Sequence, residues 1–281
     1  MPYDLHTHST CSDGTNSPAE VVTLAAEAGL SGLALTDHDT VAGWEEARRA
    51  ATGCGLDFVP GIELSTGRGP TSVHLLGLWV DRDRGSLAEE CARLRGERAR
   101  RLRAMLAKLA ALGIDVDEAR VRRIAGEAPL GRPHLAAALV EVGAVADAQT
   151  AFDDLIGSGR PAWEPKRALD TVAGIGLIRN AGGVAILAHP GISGGGGLDV
   201  GLFDELADAG LAGVEAEHPH HDAEVVEHWQ EQAMRRDLLV TGSSDFHGAR
   251  KDARIGVRTT SVVVVDALKE RRGEPSAPSA P

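Results

Sequence analysis

The chain has 281 residues, with 29 Lys plus Arg against 41 Asp plus Glu for a formal net charge of -12, and only 3% of its residues are aromatic. That length can bury a sizeable core in one α/β barrel, in one domain with an insertion or in two small domains. The negative balance excludes a protein that wraps duplex nucleic acid, because a long phosphate backbone would be repelled. Cys11, Cys54 and Cys91 are too few and too scattered for a disulfide framework or a thiolate zinc cluster, so they read as reduced thiols. The first residues lack a basic stretch followed by an apolar one, and no segment reaches about 18 uninterrupted apolar residues. A cytoplasmic protein without a membrane span is expected.

Short apolar runs recur along the chain, and several end in a cluster of His, Asp or Glu. Tyr3 to Leu5 leads into His6-Thr7-His8, and Gly32 to Leu35 leads into Thr36-Asp37-His38-Asp39. Phe58 to Ile62 precedes Glu63, and His74 sits within the next run. Val184 to Ala188 precedes His189-Pro190, Ala212 to Val214 precedes Glu215-Ala216-Glu217-His218, and Leu238 to Thr241 precedes Ser244-Asp245-Phe246-His247. Runs this short, flanked by turn residues, suit buried strands. Helical patterns lie between several of them; Ser17-Pro18-Ala19-Glu20 reads as a capping box that opens one helix. Alternating strands and helices predict a largely parallel sheet, open or closed, with ligands gathered at the carboxyl ends of its strands.

From Asp81 to about Lys166 the strand rhythm gives way to helices. Leu94, Leu102, Met105, Leu106, Leu109 and Leu112 follow helical spacing, with Gly113 as the stop. The expected organisation is a barrel over 1–81 and 167–268, an inserted helical subdomain over 82–166 and a polar, proline-rich disordered tail over 269–281.

On a strand, residues two apart point the same way, so His6 and His8 can aim two imidazoles at one point. One His-x-His pair is weak by itself; Asp13 close behind it and further His or carboxylate positions at later strand ends make a metal centre the better reading. Imidazoles and carboxylates without thiolates favour Mn, Fe or Zn over Ca or a structural zinc cluster.

The motifs Asp4-Leu5-His6-Thr7-His8-Ser9, Ser12-Asp13-Gly14, Leu35-Thr36-Asp37-His38-Asp39, Pro60-Gly61-Ile62-Glu63, His74, Ala188-His189-Pro190 and Gly242-Ser243-Ser244-Asp245-Phe246-His247 resemble those of the PHP (polymerase and histidinol phosphatase) metal-dependent phosphoesterases. The resemblance implies a distorted seven-stranded (β/α)7 barrel and two or three divalent metal ions, Mn foremost. It further implies that His6, His8, Glu63 and Asp245 hold one ion, that Glu63 bridges it to a second ion held with His74 and His189, and that Asp13, His38 and His247 hold a third. A metal-bound hydroxide is then the expected nucleophile. Asp37, Asp39 and His218 are candidates for the general acid.

A second anionic group needs basic partners outside the metal shell. Within the family, the Arg132-Pro133-His134 segment and Lys166 resemble the branch that hydrolyses nucleoside 3',5'-bisphosphates and trims short RNA from the 5' end. The resemblance implies that Arg132, His134, Lys166 and His218 hold the second phosphate. The expected partners are thus a small nucleotide phosphate or a short single-stranded RNA. A histidinol-phosphatase-like or other small-phosphoester hydrolase and a non-catalytic metal-binding module are the competing readings. An amidohydrolase also begins with His-x-His but wants a carboxylated Lys where Glu63 stands. The basic stretch from Arg93 to Lys108 reads as a solvated helix face. His220, His221 and His228 read as exposed groups at a helix start, and the Gly194 to Gly197 run as a flexible loop without the Lys-Ser or Lys-Thr of a nucleotide P-loop.

Overall fold

The computed structural model describes residues 1–69, 71–126, 130–165, 168–195 and 197–272, and within it the chain divides into two compact units. The first unit comprises Met1–Glu90 and the chain from Ala168 onward; the second is Cys91–Arg167.

The first unit is built on one sheet. Its elements in chain order are β1 (Pro2–Thr7), α1 (Pro18–Glu27), β2 (Gly32–Leu35), α2 (Trp44–Cys54), β3 (Asp57–Arg68) and β4 (Thr71–Leu78). After the second unit's helices come β5 (Leu169–Asp170), α7 (Thr171–Asn180), β6 (Val184–Leu187), α8 (Val200–Asp208), β7 (Gly213–Glu217), α9 (Ala223–Arg235), β8 (Leu239–Gly242), β9 (Thr260–Ser261) and α10 (Val262–Glu270). All residues of β2 and β6 are buried, as continuous apolar runs covered on both faces should be. The expected capping box holds: Ser17 Oγ accepts the Glu20 N–H at 3.2 Å, and Glu20 Oε2 accepts the Ser17 N–H at 2.7 Å. Reciprocal satisfaction of two orphan donors fixes where α1 starts.

The strand order is β8-β7-β6-β4-β3-β2-β1-β9, with β5 paired to β3. One expectation is corrected here: among the described residues the sheet has nine strands rather than seven. It is largely parallel as expected, with antiparallel pairings only at β1–β9, β3–β4 and β4–β6. β1, β2 and β3 run parallel, as do β6, β7 and β8, but β4 is antiparallel to both β3 and β6. Only residues 69 and 70 separate β3 from β4, too few for a crossover, so the chain must turn back as a hairpin. The hairpin register sets His74 opposite Ser65.

The two margins of the sheet approach one another. Thr7 bridges Phe246, His8 N–H donates to Phe246 O at 2.9 Å, and Gly242 N–H donates to Thr260 Oγ1 at 3.0 Å. The result is a nearly closed, barrel-shaped sheet in a mixed α/β fold. Its core joins Leu5, Ala34, Val59, Leu76, Ile186 and Ala188 from five strands and their ends with Val265 and Leu268 of α10.

The second unit is helical: α3 (Leu87–Ala111) enters it, followed by α4 (Glu118–Ala125), α5 (Arg132–Glu141) and α6 (Ala148–Ala151). Leu102, Met105 and Leu109 are buried together with Val121, Leu135 and Leu139, as helical spacing requires. Leu112 is the exception. It lies beyond the end of α3, half exposed, just before Gly113 takes the left-handed conformation at φ +79°. Basic side chains of α3 are engaged within the unit: Arg100 with Glu97, Arg103 with Glu118, and Lys108 with Glu164.

Cys11, Cys54 and Cys91 form no disulfide, and Cys91 is buried. Among the described residues, no helix is long and apolar enough to cross a membrane. Lys166, Gly196 and the tail from residue 273 lie outside the described residues.

Candidate metal centre

Strand ends deliver the donors. His6 lies in β1 and His8 just after it, His38 follows β2, Glu63 and His74 meet diagonally across the β3–β4 hairpin, and His189 follows β6. Asp245 and His247 follow β8, brought to β1 by the Thr7–Phe246 closure. The nine side chains singled out by sequence converge in four overlapping groups: His8, Asp13, His38 and His247; His6, Glu63 and His189; His6, His8 and Asp245; and His38, Glu63 and His74.

Glu63 is the hub. Its Oε2 lies 3.1 Å from His6 Nε2, 3.1 Å from His8 Nε2 and 3.2 Å from His38 Nδ1. Its Oε1 lies 2.7 Å from His74 Nδ1 and 3.1 Å from His189 Nε2. The two oxygens therefore face two different sets of imidazoles. His38 stands closer to Glu63 than to Asp13, which is 3.8 Å away, while His247 Nε2 lies 3.3 Å from Asp13. Asp13 and His74 are about a quarter exposed, at 26% and 27%, whereas Glu63, His6 and His8 are buried, so the centre opens to solvent along that side.

Backbone strain concentrates here. His189 and Asp245 have φ of +28° and +51°, and Asp39, beside His38, has +54°. Left-handed conformations in residues with a Cβ cost free energy and persist only where the surroundings enforce them. Asp39 is enforced by its carboxylate, which accepts the Ser65 N–H at 2.8 Å, and by its own N–H on Glu63 O at 3.0 Å.

The electrostatics fit cations. Burial pushes the Glu63 carboxyl up, but His38, His6 and His74 outweigh it and hold it well below the ordinary range. Asp13 and Asp245 are held down against burial in the same way, Asp13 by His38 and His247 and Asp245 by His6, His218 and His8. Burial lowers His6, yet Glu215, Glu63 and Asp245 carry it well above its ordinary value; His8 is carried up to about 9 by Asp245 and Glu63. His38 is pushed down to about 3, chiefly by burial. The centre thus keeps carboxylates charged among crowded imidazoles. His6 Nε2, His8 Nε2, His38 Nδ1 and His189 Nδ1 are buried without a hydrogen-bond partner among the described residues. Each such orphan costs about 1–3 kcal/mol unless something satisfies it. Divalent cations satisfy imidazole lone pairs and carboxylates together, and the residues present fit them.

Motif reading did not assign Glu215. It is fully buried on β7, accepts the His6 Nδ1–H at 3.0 Å, and accepts the His189 backbone N–H at 2.9 Å. A carboxylate inside an apolar strand is costly unless paired, and that is the signal that could have found it. His221 is also corrected: it is buried rather than exposed, donating Nδ1–H to Ala216 O at 2.8 Å and accepting the Gly191 N–H on Nε2 at 3.1 Å. It ties the 3-10 turn Pro190–Gly195 to β7.

Asp37 is buried with its oxygens taken up by Ser9 N–H at 2.8 Å, Ser9 Oγ at 2.7 Å and Ser12 Oγ at 2.5 Å, so it clasps the loop that carries Asp13. His218 is buried, its Nε2 3.2 Å from Asp245 Oδ2 and its Nδ1 accepting the His220 N–H at 3.2 Å. Lys251 Nζ pairs with the same Asp245 oxygen. In the second unit, Arg132 stacks its guanidinium over Phe152 at 5.5 Å, and His134 Nδ1 accepts the Gly131 N–H at 3.1 Å at the start of α5.

A mixed α/β sheet that closes on a cluster of imidazoles and carboxylates presents a site for divalent metal ions, the equipment of a metal-dependent hydrolase. The chain belongs to the PHP domain family, whose model matches residues 4–159. It is 35% identical over 253 residues to a 3',5'-nucleoside bisphosphate phosphatase of Chromobacterium violaceum, covering 89% of each chain. It is 35% identical over 256 residues to a phosphoribosyl 1,2-cyclic phosphate 1,2-diphosphodiesterase of Eggerthella lenta, covering 88% of this chain and 95% of that one. Similarity to a 5'-3' exoribonuclease of Haemophilus influenzae is 36% over 188 residues, 67% of this chain and 68% of the relative. A crystal structure assigned to a metal-dependent phosphoesterase of Bifidobacterium adolescentis superposes with a TM-score of 0.89 at 32% identity, covering 97% of this chain and 96% of that one.

Proposed function

We propose that this chain removes the 3'-phosphate from nucleoside 3',5'-bisphosphates, trims short single-stranded RNA from the 5' end, or does both. The observation that carries the reading is the two-sided Glu63 carboxylate, with His6 and His8 on one oxygen and His74 and His189 on the other. That arrangement supports an ion held by His6, His8, Glu63 and Asp245, a second by Glu63, His74 and His189, and a third by Asp13, His38 and His247. Mn is the favoured metal, with Fe or Zn compatible with the donor types. Such ions supply a nucleophile from water near neutral pH and neutralise charge on the phosphoryl group.

The protein's own groups do the rest. Glu215 fixes the His6 and His189 donors in place, Asp37 holds the loop that carries Asp13, and Asp39 braces the strand that carries Glu63. Because His218 Nδ1 accepts a backbone N–H, its proton sits on Nε2, beside Asp245 at the edge of the centre. His218 is therefore the favoured proton donor to the leaving oxygen, ahead of Asp37 and Asp39, whose carboxylates serve as hydrogen-bond acceptors. Arg132 and His134, with Lys166, are assigned to the second phosphate; burial lowers the Arg132 pKa, and a guanidinium so placed is stabilised by an anionic ligand.

The test is release of inorganic phosphate from adenosine 3',5'-bisphosphate with added Mn, beside a 5'-phosphorylated oligoribonucleotide, histidinol phosphate and a ribose 1,2-cyclic phosphate. Turnover of the bisphosphate is expected. Its failure alongside turnover of another ester removes the substrate assignment. The cyclic ester is the second reading, favoured by the 35% identity to the diphosphodiesterase relative.

A further inference from the structure

Asp245 uses its two oxygens differently. Oδ1 lies 3.5 Å from His6 Nε2 and 3.4 Å from His8 Nε2, inside the donor cluster. Oδ2 points outward to His218 Nε2 and to the Lys251 ammonium. Lys251 follows the 3-10 turn Gly248–Arg250, with its own N–H on Gly248 O at 3.3 Å, so the turn after His247 anchors its backbone at the rim. Its side chain is 33% exposed while Asp245 is 4% exposed; the ammonium thus reaches from the solvent side onto a buried carboxylate. Among the described residues, every other ion pair on Asp13, Glu63 and Asp245 is with an imidazole.

We propose that Lys251 is a phosphate-binding residue of this centre, whose ammonium turns from Asp245 to a non-bridging oxygen of the substrate phosphoryl group when divalent ions fill the donor cluster. This deepens the proposed function and rests on its assignment of the cluster to metal-dependent phosphoryl chemistry. Two or more divalent ions outweigh the three carboxylates of the donor set, so the local charge turns positive and Asp245 is shared with a metal. An ammonium beside such a centre loses its anion and gains from a new one. A phosphoryl group docked on the ions brings that anion within reach of a flexible four-carbon stem that carries a point charge. The barrel unit then contributes a phosphate-holding cation of its own, independent of Arg132 and His134 in the helical unit.

The experiment titrates inorganic phosphate into the Mn-loaded full chain by calorimetry, for the wild type, Lys251→Ala and Lys251→Arg, with bound metal per chain measured by elemental analysis. Loss of one charge-assisted hydrogen bond should weaken phosphate binding by about tenfold or more in Lys251→Ala. Lys251→Arg, which keeps the charge but changes the geometry, should recover affinity to within about threefold of the wild type. Metal content should stay constant across the three. Equal phosphate affinity in Lys251→Ala, or a loss of bound metal that accounts for the weakened binding, overturns the proposal. Kinetics on adenosine 3',5'-bisphosphate separate this inference from the function it rests on. If no phosphoester is turned over by the wild type yet Lys251→Ala still loses phosphate affinity, the substrate reading fails and the phosphate site stands. If the bisphosphate is turned over with the same KM by Lys251→Ala, the substrate reading stands and the Lys251 role fails.

Discussion

Glu215 and His6 are locked together inside the sheet, carboxylate to Nδ1–H at 3.0 Å with both side chains fully buried. That bond sets the His6 tautomer and leaves Nε2 turned toward Glu63 and Asp245. Outer carboxylates of this kind typically contribute about 10–100-fold to metal affinity. Glu215→Gln, which keeps the shape and removes the charge, is expected to weaken Mn binding by about that factor, read by competition with a chelator. Unchanged affinity would show that the contact is dispensable.

The same pair gives the metal-stripped protein a pH-dependent stability. Burial raises the Glu215 carboxyl, but His6 outweighs it and takes the value down from 4.5 to about 2. A carboxyl depressed on folding stabilises the native state above its unfolded value, and that contribution drains as pH falls through about 4.5 toward 2. His6, raised well above 6.5, contributes in the opposite sense: fully below 6.5, and less as pH climbs through the raised value. Denaturant titrations of metal-free protein should therefore show an acid limb that flattens in Glu215→Gln. An identical limb in the variant would assign the acid loss to other groups.

Glu63 contacts imidazoles on both oxygens, so no single substitution should damage the centre more. Glu63→Gln is expected to reduce phosphate release by at least about a hundredfold, on the scale of losing one charged group at a reacting centre. Bound metal per chain should fall with it. Retention of full metal content and turnover would contradict the hub assignment.

His221 joins Ala216 O to the Gly191 N–H and so braces the turn that follows His189. Removing it takes away the buried side-chain partner of both backbone groups. His221→Ala should cost about 2 kcal/mol of stability, the range for two lost buried hydrogen bonds. Thermal or denaturant unfolding measures this, and a loss below about 0.5 kcal/mol, the size of a neutral surface change, would exclude the bracing role.

Much of the centre was legible because its donors follow one rule: a polar residue closing a short apolar run. His6-Thr7-His8, His38, His189 and Asp245 each obey it, and the chain brings all nine donors together. What spacing hid is long-range. β4 reads as one more strand, and nothing in its pattern shows that it runs antiparallel between β3 and β6. Glu215 and Glu217 sit on one strand face by parity, yet only Glu215 is fully buried against His6, and the pairing with β8 shifts register between the two. His221 looks like any histidine in an acidic stretch until the turn after His189 folds over it. The left-handed backbones of His189 and Asp245 have no sequence signal, since neither residue is glycine.

The antiparallel hairpin also orders events along the growing chain. His38, Glu63 and His74 form the one donor group complete within the N-terminal segment; each of the other three groups needs His189, Asp245 or His247. A nascent polypeptide that has made β1 to β4 carries six of the nine donors, His6, His8, Asp13, His38, Glu63 and His74, but still lacks His189, Asp245 and His247. The last two donors arrive with the residues that bridge back to β1, so the full cluster cannot be assembled before the sheet can close. Metal-dependent hydrolysis is thereby withheld from unfinished chains, and a complete metal complement becomes a certificate that the sheet has closed.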